Sequence, residues 1–167
     1  MEKGINLKDF IIIDYKSEYE EVVNEIEEQQ WGVWFDGGIE SKIKEGSIVK
    51  LALVGDEVVG ISYYKPIGDL LYYQAVVVKP EFQYKGLGTA FVTEAIKYAK
   101  LNNLKNVFCE AIIVDGKINI ESLLKKFEFT EVLRVDNYWG SVSPEVLCIE
   151  CGCKPCKCGC AFFVKKI

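Results

Sequence analysis

The chain contains no histidine among its 167 residues. This absence excludes catalytic triads built on histidine, cysteine–histidine dyads and mixed histidine–cysteine metal sites. Any proton transfer must therefore use carboxylates, tyrosine, cysteine, lysine, water or the backbone. The missing residue narrows the candidate chemistry more than any residue that is present.

Three further features are missing from the sequence. No apolar run approaches the roughly 20 residues of a membrane span, and residues 1–10 lack the cationic start and apolar core of a secretion signal. The net charge of −5 leaves no excess of basic residues, which nucleic-acid binding usually requires. We therefore expect one cytoplasmic domain over residues 1–167, monomeric or homodimeric, that binds neither membrane nor nucleic acid.

Residues 71–104 predict a strand, a glycine loop and an amphipathic helix in direct succession. The β-branched and aromatic run 71–78 is typical of a strand. From Leu87 onwards apolar residues recur at helical spacing. The helix therefore begins at Gly86 and Gly88, where unpaired N–H groups attract an anion. An ordinary tight strand-to-helix turn is the alternative interpretation of the glycines alone.

The spacing Gln83-x-x-Gly86-x-Gly88 resembles the pyrophosphate loop of the GCN5-related N-acetyltransferases (GNAT), whose pattern is Q/R-x-x-G-x-G/A. It fits neither the GxxxxGK[ST] phosphate loop nor the GxGxxG dinucleotide loop. The order of predicted elements over residues 10–138 also matches this family. The resemblance implies an α/β (α+β) fold with a mixed, largely antiparallel central sheet flanked by helices, in the order β-α-α-β-β-β-α-β-α-β-β.

The resemblance also implies where acetyl-CoA binds. In the family a bulge splays the fourth strand from the fifth, and the pantetheine arm lies in the gap. Here those strands are 71–78 and 106–113, so the main chain of Val76 and Val78 is expected to bind pantetheine. The family pattern places these further residues at the cofactor: Gln83, Tyr84, Lys85, Gly86, Leu87, Gly88, Thr89 and Asn119. Asn119 has an alternative assignment as the N-cap of the short helix that follows it.

The sequence departs from the family pattern at the catalytic positions. Leu124 falls where the family often carries a tyrosine acid, and Tyr72 falls where many members carry a glutamate base. We assign the base to Glu110, the only carboxylate within the fifth strand, acting through a water, and the acid to Tyr138. Strand alternation leaves open which face of the sheet Glu110 occupies.

Six of the seven cysteines lie between residues 148 and 160. Disulfides are disfavoured in a cytosolic chain, and C-x-C pairs are too cramped to bridge easily. Two glycine-terminated cysteine pairs instead predict a closed, structural zinc site with Lys154 and Lys157 offsetting its charge. The predicted ligands are Cys148, Cys151, Cys156 and Cys158. The alternative is a Cu(I)-type cluster that also uses Cys153 and Cys160.

The resemblance implies an enzyme that moves an acetyl group from acetyl-CoA to a primary amine. Residues 14–45 hold ten acidic residues against three lysines, a local balance of −7, and in the resembled family this region borders the acceptor. A cationic amine, such as a polyamine or a lysine-bearing peptide, is the predicted acceptor. A solvated helix face is the alternative explanation of the charge. The alternative function is a non-catalytic acyl-CoA-binding or metal-sensing module.

Overall fold

The computed structural model of the chain describes residues 10–31 and 38–167. Its strands are β1 (Phe10–Asp14), β2 (Ile48–Val54), β3 (Glu57–Ile67), β4 (Leu70–Val78), β5 (Asn106–Val114), β6 (Lys117–Ile118), β7 (Thr130–Val135) and β8 (Gly159–Lys166). Its α-helices are α1 (Glu20–Trp31), α2 (Gly38–Lys44), α3 (Leu87–Leu101), α4 (Glu121–Lys126) and α5 (Tyr138–Val142). None of these described helices has the length and apolar composition needed to span a membrane.

The strands form one sheet in the order β1-β2-β3-β4-β5-β8-β7, with β6 paired to β5 beside that path. Every described pairing is antiparallel except β4 with β5, which is parallel. The predicted fold class, a largely antiparallel sheet flanked by helices, is confirmed. The sequence prediction did not include the two-residue strand β6 or the short helix α5.

Helices cover both faces of the sheet because their apolar stripes need burial. Helix α3 buries its apolar side against β2, β3, β4 and β5 through Leu87, Phe91, Val92, Ala95, Ile96 and Ala99. Helices α1 and α2 bury Val23, Ile26 and Ile39 against the opposite face, over β2 and β3. Strand β5 therefore alternates between a side chain packed toward α3 and one that faces the other way.

Strand β4 contains a bulge at Gln74. Consecutive residues of β3 lie opposite Tyr73 and Ala75, so Gln74 has no opposite residue in that pairing. The Oε1 atom of Gln74 instead accepts a hydrogen bond from Ser47 Oγ at 2.8 Å. The parallel pairing of β4 with β5 ends beside the bulge, at Tyr73 opposite Cys109. The two strands separate beyond this pair, as the family resemblance implies.

The prediction that Asn119 caps a helix is wrong. Helix α4 begins at Glu121, its N-cap is Ile120, and no side chain caps it. The reason is the hairpin that precedes the helix, because Lys117 and Ile118 pair with β5 and hold the chain extended up to Asn119. The exposed Asn119 therefore has no capping role.

Helix α5 packs directly on the cysteine-rich segment, which comprises residues 148–160. The backbone N–H of Trp139 donates to Cys158 O at 3.4 Å, and its indole Nε1 donates to Gly159 O at 3.1 Å. A Cβ atom at Gly140 would lie 2.1 Å from Cys156 O. Only glycine fits this contact, since real Cβ atoms do not approach a carbonyl oxygen so closely.

Replacing Gly140 by alanine should destabilise the protein. The added methyl group must displace the carbonyl of Cys156 or shift α5, and overpacking of this kind costs about 1–3 kcal/mol. We expect a clearly lower urea midpoint for Gly140→Ala than for Ser141→Ala, whose side chain is exposed in the same helix. Equal midpoints for the two variants would contradict this packing of α5.

Candidate active site

A cavity of about 580 Å³ occupies the gap between β4 and β5. It is lined by α1, α2, β3, β4, β5, α5, the residues before α4 and the start of the cysteine-rich segment. Both faces of β5 contribute: Cys109 and Ala111 pack toward α3, whereas Glu110 and Ile112 face the other way. The cavity therefore extends across the thickness of the sheet.

Glu110 faces this cavity from the α1–α2 side of the sheet. Its carboxylate is half-buried, and the Tyr72 side chain lines the same cavity beside it. Burial raises the pKa of Glu110 above that of an ordinary glutamate, and the neighbouring Tyr72 hydroxyl opposes this rise in pKa. A carboxylate with a raised pKa is a stronger proton acceptor once ionised.

Tyr138 lies on the same face of the sheet as Glu110. Its ring packs edge-on against Phe162, with 5.4 Å between centroids, and Phe162 is the cross-strand partner of Glu110 in β8. Burial, and then the charge of Glu110, raise the pKa of Tyr138, so this phenol stays protonated. The predicted base and acid therefore lie on one face of the sheet, with Phe162 in contact with Tyr138 and opposite Glu110. Glu110 and Tyr72 line the cavity, whereas Tyr138 is not among its lining residues.

A buried ion pair lies at the α1–α2 side of the cavity. Lys42 Nζ is 3.2 and 3.3 Å from the two carboxylate oxygens of Glu27, whose exposure is only 5%. The same ammonium is 5.2 Å from the ring centroid of Tyr63. Burial, and then the charge of Glu27, raise the pKa of Tyr63. The sequence indicates this ion pair only through the position of Glu27. It lies four residues after Val23, on the apolar face of α1, where a charged residue is unexpected.

The main chain of β4 offers unpaired groups to the gap. Lys79 N–H donates to Val59 O in β3 at 2.9 Å. Because main-chain groups alternate along an extended strand, those of Val78 and Val76 point away from β3. The carbonyl of Val78 accepts its hydrogen bond from Gln83 Nε2 at 2.9 Å, which agrees with that direction. The orientation suits the predicted pantetheine contacts of Val76 and Val78.

The glycine loop ends where α3 begins, as predicted. Gly86 has φ +94° and is the N-cap of α3, a conformation that favours glycine. The first helical hydrogen bond runs from Ala90 N–H to Gly86 O, so the preceding N–H groups have no partner within the helix. Leu87 is buried beneath the loop, and a Cβ at Gly88 would lie 3.3 Å from Leu123. This helix start can therefore hold an anion.

Cationic and exposed side chains surround this helix start. Lys126 Nζ donates to Thr89 Oγ1 at 3.2 Å, and Lys85 Nζ lies 5.6 Å from the ring centroid of Phe82. Tyr84 is fully exposed with φ +59°. Lys126 comes from α4, so no local pattern in the loop pointed to it. Two ammonium groups near one helix N-terminus favour a phosphate-bearing ligand.

Four of the ten acidic residues of 14–45 have partners in the described structure, and one of them is Glu27 in the ion pair above. Asp14 pairs with Lys50 and Glu18 with Lys16. Glu40 accepts from the Tyr15 hydroxyl at 2.8 Å. Asp36 lies outside the described residues. Three glutamates do line the cavity, against one lysine: Glu45, Glu110 and Glu150, with Lys42.

The four predicted metal ligands come together in space. The Sγ atoms of Cys148, Cys151, Cys156 and Cys158 all lie within 4.8 Å of one another. The separations Cys148–Cys158 and Cys151–Cys156 are both 3.9 Å. Tetrahedral zinc with Zn–S bonds of about 2.3 Å requires sulfurs about 3.8 Å apart. The cluster therefore fits a single tetrahedral ion.

Backbone amides and burial act in opposite directions on the thiols of the cluster. Gly152 has φ +64° and donates its N–H to Cys148 O at 2.8 Å, which closes the first turn. Cys158 N–H points to Cys156 Sγ at 3.3 Å. A backbone hydrogen bond from Lys157 is the main cause that lowers the pKa of Cys151 to about 6. Amide groups directed at sulfur stabilise the thiolate form that metals bind. Burial has the opposite effect and raises the pKa of Cys156 and Cys158.

The two remaining cysteines of the segment lie outside the cluster. Cys153 Sγ is 3.3 Å from Cys151 O. Cys160 Sγ is 3.8 Å from Ala161 O, and Cys160 lies opposite Ile112 in the β5–β8 pairing, on the face that carries Glu110. The arrangement favours four ligands over six.

Comparison with known proteins agrees with this geometry. The profile of the Acetyltransferase (GNAT) family matches residues 8–129. No curated protein matches the chain. Among solved structures, the ribosomal-protein-S18-alanine N-acetyltransferase from Escherichia coli has a TM-score of 0.73 and 14% identity, covering 95% of this chain and 94% of that one.

Two further solved structures have the same fold. An acetyltransferase from Bacillus subtilis in complex with CoA has a TM-score of 0.70 and 17% identity, covering 95% of this chain and 98% of that one. The aminoglycoside 6′-N-acetyltransferase from Enterococcus faecium has a TM-score of 0.69 and 13% identity, covering 93% and 96%. The family profile spans most of the chain and includes the splayed strands and the glycine loop. The chain therefore belongs to the acetyltransferase (GNAT) family and is an acyl-CoA-dependent N-acetyltransferase.

Proposed function

We propose that this enzyme transfers the acetyl group of acetyl-CoA to a primary amine of a cationic acceptor, with Glu110 as base and Tyr138 as acid. The observation that carries the proposal is the position of Glu110. Its carboxylate is half-buried in the cavity between the splayed strands, beside the gap-facing main chain of β4. A base at this place can reach an amine that enters from the α1–α2 side while the thioester lies in the gap.

The proposed reaction is a direct attack on the thioester. The amine loses a proton to Glu110, directly or through one water, and its nitrogen bonds to the carbonyl carbon. Main-chain N–H groups of β4 stabilise the oxygen that becomes negative. The C–S bond then breaks, and Tyr138 gives its proton to the CoA thiolate. The products are an N-acetylated acceptor and CoA with a free thiol.

We assign the cofactor to the gap and the glycine loop. Val76 and Val78 supply main-chain groups to pantetheine, and the helix start at Gly86 faces the pyrophosphate. Support comes from the unpaired N–H groups there and from the nearby ammonium groups of Lys85 and Lys126. Asn119 lines the cavity, so it remains a candidate contact of the cofactor.

The acceptor is assigned as cationic from the charge of the cavity. Its lining carries three glutamates, and its one lysine, Lys42, is already paired with Glu27. An amine with additional positive charge would be attracted there. The similar structures act on amines of two kinds by their names, an aminoglycoside and an alanine of a ribosomal protein. A polyamine or a lysine-bearing peptide belongs to the same chemical class.

We further propose that the four clustered cysteines hold one zinc ion in a closed, structural site. Four thiolates leave no open position, so the ion would stabilise the fold of residues 148–158 and would not activate water. The exclusion of Cys153 and Cys160 from the cluster supports zinc over a Cu(I)-type cluster. A four-thiolate metal site requires reduced cysteines, which supports the cytoplasm as the compartment.

The single-domain organisation of the chain remains a proposal. One domain over residues 1–167 is supported by β8, which follows the cysteine-rich segment and lies between β5 and β7 in the sheet.

A non-catalytic acyl-CoA-binding module is the second candidate function. One observation favours it: Leu124, at the position of the family's tyrosine acid, is buried and has no proton to give.

Gly86→Val should lower the affinity for acetyl-CoA by about tenfold or more, because its side chain obstructs the approach of the pyrophosphate to the helix N-terminus. Calorimetry measures the affinity. The positive φ of Gly86 adds backbone strain, so Gly55→Val is the matched control, since Gly55 has φ +59° in the β2–β3 turn and open space around it. Unchanged affinity in a folded Gly86→Val protein would contradict the assignment.

Glu110→Gln and Tyr138→Phe should each lower kcat/KM, by about 10²-fold or more for loss of a general base or acid. Asp56→Asn, a carboxylate-to-amide change in an exposed turn, serves as the control. Near-normal turnover in both variants would refute the assigned roles and leave the non-catalytic candidate or a water-only route. If wild-type protein binds acetyl-CoA but acetylates no amine, the enzymatic proposal itself fails.

The electrostatic attraction of the acceptor predicts a salt effect. Raising the ionic strength from about 0.01 M to about 0.15 M shortens the screening length from about 30 Å to about 8 Å. We expect the KM for spermidine to rise over this range by more than the KM for propylamine, which carries one charge. Steady-state kinetics at constant pH measures both. An identical response of the two amines would show that extra positive charge contributes nothing.

Native mass spectrometry should find one zinc ion per chain. Removing it should lower the free energy of unfolding by about 3–4 kcal/mol, the effect of a ligand present at about 100 to 1,000 times its dissociation constant. Denaturant unfolding with and without chelator measures the difference. Several Cu(I) ions per chain would support the alternative cluster, and a metal-free chain of full stability would exclude a structural ion.

A further inference from the structure

The cysteine-rich segment forms part of the wall of the catalytic cavity. Cys148, Ile149 and Glu150 line the same cavity as Glu110. Three of the four clustered cysteines pack with Ile112 and Val114, which lie on the Glu110 face of β5. The cysteine-rich segment, which the sequence predicted only as a structural metal site, therefore lies beside the reacting groups.

The cavity has two distinct sides on this face of the sheet. Gln30, Ser41 and Glu45 line it from α1 and α2, and the cysteine-rich segment with Trp139 lines it from the β5 side. The glycine loop that we assign to the cofactor belongs to the α3 side of the sheet, where Leu87 and Phe91 are buried. The acceptor end and the pyrophosphate end are thus built by different elements.

The position of this wall depends on the cysteine cluster. Residues 143–158 form neither helix nor strand, and a stretch of that length without secondary structure needs another restraint to adopt one conformation. The clustered cysteines provide it, since Cys148, Cys156 and Cys158 are each at most 3% exposed. Ile149, next to the first ligand, is 51% exposed although it is a large apolar residue.

Helix α5 is held by the same segment. Trp139 donates two hydrogen bonds to backbone carbonyls at the end of the segment, and Gly140 lies against the backbone of Cys156. Tyr138, the assigned acid, is the first residue of this helix. A change in the cysteine cluster would therefore alter the positions of both the cavity wall and Tyr138.

We propose that residues 148–150 form the acceptor-specificity loop of this enzyme, in which Ile149 and Glu150 contact the acceptor and the metal ion fixes their position. The inference rests on the proposed function. Ile149 offers an apolar surface and Glu150 a carboxylate, which suit an acceptor with an alkyl chain and a positive charge. Loss of the ion releases the loop, so acceptor binding weakens while acetyl-CoA still binds at the glycine loop.

Single substitutions on the loop test the contacts without removing a ligand. Ile149→Ala and Glu150→Ala should each raise the KM for spermidine by about 5- to 10-fold, and leave zinc content and acetyl-CoA affinity unchanged. Glu145→Ala is the matched control, because Glu145 lies in the same segment but is exposed and pairs with Lys154. An unchanged KM for both loop variants would overturn the contacts.

A pair of cysteine variants tests the role of the ion. Cys148→Ser removes a ligand, whereas Cys153→Ser changes a thiol outside the cluster. We expect Cys148→Ser to lose zinc and to lose about tenfold or more in kcat/KM for spermidine, with acetyl-CoA affinity within about twofold by calorimetry. Cys153→Ser should match the wild type in all three measurements. Zinc loss without a change in kcat/KM would overturn the proposal.

Hydrogen exchange separates this inference from the proposed function. Chelation of wild-type protein should raise amide exchange in residues 138–158 and leave the 83–89 loop unchanged, and zinc should reverse the effect. If the chain acetylates no amine but this exchange pattern appears, the proposed function fails and the metal-held wall stands. If the amide exchange rate in residues 138–150 is the same with and without the metal, the inference fails whether or not the chain acetylates amines. This measurement does not depend on Cys148→Ser folding.

Discussion

The separation of β4 from β5 at the Gln74 bulge is the constraint on which the rest of the site depends. A continued parallel pairing would have consumed the main-chain groups of Val76 and Val78. It would also have closed the cavity that Glu110 lines. One unpaired residue in β4 therefore exposes strand hydrogen-bonding groups in the interior and opens space beside them. The bulge is held from outside the pairing, through the hydrogen bond of Ser47 to Gln74.

The lack of histidine shapes how the site handles protons. Its titratable groups near the gap are carboxylates and phenols, and burial raises the pKa of Glu110, Tyr72 and Tyr138 alike. A raised pKa strengthens the carboxylate as a base and keeps the phenols protonated. Burial in one environment thus makes the carboxylate a better proton acceptor and keeps the phenols as proton donors. Acid–base catalysis requires both properties. Tyr72 lies beside Glu110 in the cavity wall and comes from the neighbouring strand β4.

The sequence predicted those parts of the site that depend on local patterns. The strand, glycine loop and helix of 71–104 follow from periodicity and glycine spacing, and the four clustered cysteines follow from two short glycine-terminated motifs. Contacts between distant segments were not predictable in this way. Glu27 and Lys42 lie on different helices, and Lys126 reaches Thr89 from α4.

Two local predictions also depended on information that the pattern lacked. Strand alternation allows two faces for Glu110, and only the packing of α3 against Cys109 and Ala111 decides between them. Asn119 has the chemistry of an N-cap, but the β5–β6 hairpin extends the chain past it. In both cases a tertiary contact overrides the local preference. The role of the cysteine-rich segment as a cavity wall is of the same kind.

The place of β8 in the sheet constrains the order in which the protein can be assembled. β8 pairs with β5 on one side and with β7 on the other, yet it follows both in the sequence. During translation β7 has no edge to join until β8 has left the ribosome, and β8 emerges only after the cysteine-rich segment. The emerging chain must therefore present two incomplete edges, at β5 and β7, to the chaperones and other nascent chains around it.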